Sequence, residues 1–142
     1  MSFTGKRYDF RDQVGDYAHL AEGLAGLLKG EKDFVANAAN TAALVFDALP
    51  DLNWTGFYFL KQGELVVGPF QGKPACVRIA LGKGVCGTAA VERKTIIVPD
   101  VHAFPGHIAC DARAKSEIVV PVFGPGGELI AVLEKELPLS KR

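Results

Sequence analysis

Cys76, Cys86 and Cys110 are the residues of this 142-residue chain best suited to covalent chemistry. Cys110 stands in the stretch FPGHIACDARAKSEIVVPV, Phe104 to Val122, with His107 and His102 close before it in sequence. A neighbouring imidazolium favours the thiolate, which is the nucleophilic form of cysteine. Cys86 lies between Gly84 and Gly87, where a glycine-rich loop runs into a helix. Unpaired backbone N–H groups at such a helix mouth also favour a thiolate. A thiolate that takes an oxygen atom from a substrate becomes a sulfenic acid, and a second thiol condenses with that acid to form a disulfide. Three cysteines supply an attacker, a resolver and one more. The competing reading makes Cys76 and Cys86 packing residues, because free cysteine is among the most buried residue types.

Acids form the second group. Glu117 opens a β-branched run directly after the Cys110 loop, and Glu134 and Glu136 alternate along the last apolar segment, so both point to one face. Such carboxyl groups can bind an ammonium group, or protonate a leaving oxygen if burial raises their pKa. The alternative for Glu134 and Glu136 is a pair of solvated charges on an edge. Trp54 and Tyr58 lie four apart, on one face of a strand, and can wall an apolar pocket, while Phe57 reads as core. No CxxC or HxxxH pair is present, which argues against a structural zinc site. GKGVCGTA lacks the Lys-Ser/Thr pair of a nucleotide-phosphate loop, so its glycines read as a tight turn or a close backbone approach. No metal and no bound cofactor are expected.

The elements that must hold these residues are legible in outline. Tyr17, Leu20, Leu24, Leu27 and Leu28 recur at helical spacing before Gly30, and a second helix is expected from about Asp33 to Leu49, with Phe34, Ala38, Thr41, Ala42, Val45 and Leu49 on one face. WTGFYFL and ELVVGPF, joined by KQG, form a hairpin. CVRIAL, TIIVPD, EIVVPVF and ELIAVLE supply further strands, with a short helix through about Arg93 and a long loop from Asp100 to Ser116. This order predicts one α+β domain over residues 1–142, with an antiparallel sheet and the helices segregated on one face. With 16 basic and 16 acidic residues, the chain has no net charge to draw nucleic acid or an anionic membrane. No apolar run approaches a membrane span, and MSFTGKRYDFRDQ is too polar for a signal-peptide core, so a cytoplasmic protein is expected.

NWTGFYFL, GPFQGKPACVRIALGKGVCGTAA and VPDVHAFPGHIACDARAKSEIVVPV closely resemble the motifs of free methionine-(R)-sulfoxide reductases, single-domain members of the GAF fold. The resemblance implies reduction of free L-methionine (R)-sulfoxide through a sulfenic acid on Cys110. Cys76 or Cys86 then closes an intramolecular disulfide, and thioredoxin with NADPH-dependent thioredoxin reductase reopens it. It also implies that Glu117 binds and polarises the substrate and that Trp54 and Tyr58 line the pocket. Two departures stand out. The last strand reads LEKELP where the family carries Leu-Asp-Ile-Asp-Ser-Pro, which puts Glu134 and Glu136 at the substrate positions with one more methylene each. The chain also stops at LSKR where the family usually continues into a C-terminal helix, and the hydrophobic surface this would expose favours a homodimer or lowers stability. The rival expectation is a noncatalytic GAF-type module that binds a small ligand or senses redox state.

Overall fold

The structure, a computed structural model, describes residues 13–106 and 115–138. Cys110 and His107 lie outside the described residues. In chain order come α1 (Gln13–Leu28), α2 (Phe34–Ala48), β1 (Trp54–Lys61), β2 (Glu64–Gly72), β3 (Arg78–Ala80), α3 (Gly84–Glu92), β4 (Ile96–Val98), a 3-10 turn (Val101–Ala103), β5 (Ser116–Phe123) and β6 (Leu129–Leu137).

Local chemistry explains the boundaries. The Asp33 carboxylate accepts the Ala36 N–H at 2.8 Å, which satisfies one of the free donors at the start of α2. At the other end the Leu49 N–H donates to the Val45 carbonyl, and Pro50 cannot continue the helix. The face that α2 buries is Ala38, Thr41, Ala42, Leu44 and Ala48. Phe34 and Val45, expected on that face, are exposed and half-buried respectively; Phe34 instead packs its ring 4.9 Å from Phe59. Gln62 and Gly63 both have positive φ (52° and 83°), as a tight two-residue hairpin turn between β1 and β2 requires.

The six strands form one antiparallel sheet in the order β3-β2-β1-β6-β5-β4. β6 is therefore a central strand, which removes the edge placement of Glu134 and Glu136 considered from sequence. Alternation along the strands separates two cores. On one face Phe57, Phe59 and Ala131 pack with Ala38 of α2, and α1 lies against α2 without fully burying any residue. On the other face Trp54, Tyr58, Leu65, Val119 and Val132 pack with Val85, Cys86, Ala89 and Ala90 of α3. The N-terminal helices thus share one face as expected, whereas the short α3 takes the opposite one. Its approach depends on Gly87, where a Cβ would stand 2.5 Å from the Ala80 carbonyl oxygen. Among the described residues no helix is long and apolar enough to cross a membrane, and no element follows β6.

Candidate active site

The face beneath α3 gathers every sequence-selected acid and aromatic. Trp54 on β1 pairs with Glu136 on β6, and Glu136 pairs with Glu117 on β5, so one row across three strands carries an indole and two carboxyl groups. The next row sets Gly56 beside Glu134 and Glu134 beside Val119. Glu117, Glu134 and Glu136 are 4%, 6% and 9% exposed, a degree of burial that carboxylates rarely reach without compensation. Compensation comes from sharing protons. Glu134 hydrogen-bonds to both Glu117 and Glu136 through their side chains, and the Cys86 thiol donates to Glu134 Oε2 at 3.0 Å. The Thr55 hydroxyl donates to the Glu134 main-chain carbonyl at 2.9 Å, which fixes the strand from which that carboxyl projects.

Burial, and then the neighbouring Glu136 and Glu117, push the Glu134 carboxyl well above the usual carboxylate range. Glu117 rises to about 7, first through burial, with a hydrogen bond from Glu134 pulling it back and the charge of Glu136 pushing it up. A carboxyl poised near neutrality is suited to give and take a proton.

Cys86 departs from expectation. Although it sits in the first turn of α3, burial and then the charges of Glu134 and Glu117 drive its pKa well above the ordinary value, so it is a thiol. The partial charge of a helix terminus, about half an elementary charge, loses to desolvation and two nearby carboxylates. Cys76, half-buried in the loop between β2 and β3, is disulfide-bonded, while Cys86 is a free cysteine. The expected nucleophile Cys110 and its neighbour His107 fall outside the described residues; His102 is exposed, with its backbone N–H bonded to Asp100.

The aromatic wall has more parts than the sequence reading named. Trp54 and Tyr58, 2% and 1% exposed, lie 6.0 Å apart between ring centroids, and Phe70 of β2 stacks on Trp54 at 5.2 Å. Gly56 makes room for Phe70, because a Cβ there would stand 2.2 Å from Phe70 Cβ. A lone glycine inside an aromatic strand was the available signal of such a close approach. The donor atoms of Cys86, Glu117 and Glu134 lie within 4.8 Å of one another, a set able to hold protons or a cation. Spacing arguments could not find it, because the three residues come from three separate elements. Chemically, the site offers a buried proton store, an acid tuned near neutrality and an aromatic wall on the face that Cys86 shares.

The profile of the GAF domain family matches residues 35–137. The free methionine-R-sulfoxide reductase of Escherichia coli is 51% identical over 118 residues, 83% of this chain and 71% of that protein. The Staphylococcus aureus fRMsr in complex with substrate superposes with a TM-score of 0.85 at 47% identity, covering 98% of this chain and 86% of that one. The free methionine-R-sulfoxide reductase of Neisseria meningitidis, also in complex with its substrate, gives a TM-score of 0.89 at 38% identity, with 99% and 83% covered.

Proposed function

The chain belongs to the GAF domain family, among its free methionine-R-sulfoxide reductases, and from that premise we propose that it reduces free L-methionine (R)-sulfoxide to methionine with its own thiols. It is an oxidoreductase. The observation that carries the reading is the buried Glu117–Glu134–Glu136 cluster on the face that holds Trp54, Tyr58 and Cys86.

In the proposed cycle the Cys110 sulfur takes the oxygen of the sulfoxide. The sulfoxide sulfur gains two electrons and leaves as the thioether of methionine, and Cys110, two electrons poorer, is left as a sulfenic acid. Glu117 lends a proton to the sulfoxide oxygen as its bond to sulfur breaks. The substrate ammonium stabilises the ionised state of the buried carboxyl groups, and a blocked amine forfeits that attraction. Trp54 and Tyr58 wall the thioether end. A second thiol then attacks the sulfenic sulfur, an S–S bond forms, and the oxygen leaves as water. Cys76 is assigned as this resolver: it is the cysteine engaged in a disulfide, whereas Cys86 holds Glu134 in place. Thioredoxin, recharged by NADPH through thioredoxin reductase, returns both sulfurs to thiols.

The test follows NADPH consumption with thioredoxin and thioredoxin reductase. It offers free L-methionine (R)-sulfoxide, its (S) epimer and an amine-blocked, peptide-like (R) form to the wild type and to Cys110→Ser. Turnover of the free (R) form alone, lost in the variant, is the expected result. Binding of the sulfoxide without release of methionine would instead mark a noncatalytic GAF module.

A further inference from the structure

We propose that Tyr58 is a positioning residue for the disulfide-forming step, its hydroxyl holding the Cys76 loop so that the resolving sulfur meets its target. The inference rests on the reading of Cys76 as the resolver.

Cys76 lies in the short segment 73–77, between the end of β2 at Gly72 and the start of β3 at Arg78. Such a segment has few ways to hold its shape, and Pro74 removes one backbone donor. Three bonds pin its carbonyls. The Tyr58 hydroxyl donates to the Cys76 carbonyl at 3.0 Å, Trp54 Nε1 donates to the Lys73 carbonyl at 3.1 Å, and the Val67 N–H donates to the Val77 carbonyl at 2.9 Å. Two of the three come from the aromatic pair of the candidate pocket, whose rings are themselves locked by burial. The Tyr58 hydroxyl is held as a donor, because burial raises its pKa far beyond any working pH. The group that walls the pocket therefore also sets the backbone of the residue that must react next.

Closure consists of Cys76 sulfur attacking the Cys110 sulfenic sulfur, formation of the S–S bond, and departure of hydroxide that takes up a proton to become water. Its rate depends on how often the free Cys76 loop presents its sulfur in line, and small displacements of a reacting group are costly. With the tether removed, the reduced loop gains conformations that the covalently closed form does not.

Tyr58→Phe keeps the ring and deletes the bond. Rapid quenching after mixing with free L-methionine (R)-sulfoxide, with a dimedone-type trap for sulfenic acid, follows methionine release and disulfide closure separately. Closure is expected to slow about tenfold, the effect of losing one hydrogen bond of ordinary net strength, and by more than methionine release slows. Without any sulfoxide, equilibration with oxidised and reduced dithiothreitol should shift the Cys76 pair toward the dithiol by a similar factor. Trp54→Phe, which loses the bond to Lys73 together with part of the buried ring that stacks on Phe70, should shift that equilibrium the same way by less, and it stands in if Tyr58→Phe does not fold. Equal slowing of both steps, or an unmoved dithiothreitol equilibrium, overturns the proposal. If the wild type releases no methionine, the reductase reading falls, and the dithiothreitol equilibrium alone decides for or against the tether.

Discussion

The two faces of the sheet use the same strands for opposite purposes. Toward α2, β1 presents Phe57 and Phe59, and β6 presents Ala131, and these form a hydrocarbon cluster with Ala38. Toward α3 the same two strands present Trp54 and Tyr58, Glu134 and Glu136. The first face gains stability by burying hydrocarbon. The second spends some of that gain, because buried carboxyl groups and a buried thiol must be kept neutral or paired. The lesson is that one register serves both: a shift of one residue would exchange the faces and lose core and site together.

The contrast can be broken first at the acid. Glu117→Gln should lower kcat by about 10²–10⁴-fold, the usual worth of a positioned proton donor, while leaving the fold intact by circular dichroism. The opposite face should answer in stability instead. Phe57→Ala is expected to cost about 3–5 kcal/mol in a urea titration, with turnover per folded molecule changed far less.

A pH series sharpens the comparison further. Because Glu117 must hold its proton and its pKa stands at about 7, kcat should fall as pH rises past neutrality, approaching about tenfold per unit. Stability follows the same group with a definite sign. The folded value of about 7 exceeds the ordinary 4.5, so the contribution of Glu117 is whole below about 4.5 and is lost as pH climbs to about 7. Denaturation midpoints should decline across that window, and Glu117→Gln should flatten the decline. Phe57→Ala should shift the whole curve without changing its slope.

The smallest expected effect lies farthest from the site. Asp33→Ala removes the cap of α2 and should cost about 1 kcal/mol in thermal unfolding, with kcat and KM unchanged. A loss of turnover there would mean that the helix-covered face is coupled to the chemistry.

Much of this was legible beforehand because it depends on short-range rules. The β1–β2 hairpin followed from two β-branched and aromatic runs about KQG, and the start of α2 from an aspartate ahead of a helical pattern. The period of two put Trp54 with Tyr58 and Glu134 with Glu136, and the structure keeps both pairs together. The face of α2 was less legible. Leu44 is buried although it lay outside the expected face, and Phe34 stays exposed although its ring packs against Phe59. Between the two readings open for Cys86, a helix-mouth thiolate and a buried packing thiol, the sequence could not decide, since its first-turn position is written locally but its carboxylate neighbours come from β5 and β6.

By itself the sequence determined the element types, their order, the parity of each strand and the residues able to do chemistry, all of which depend on neighbours a few positions away. Only the tertiary structure decided that β6 lies at the centre of the sheet, that α3 covers the face opposite α2, and that Cys86, Glu117 and Glu134 share one buried cluster. Ionisation answers to burial and to charges a few ångströms away in space. Those distances exist only after distant strands have paired.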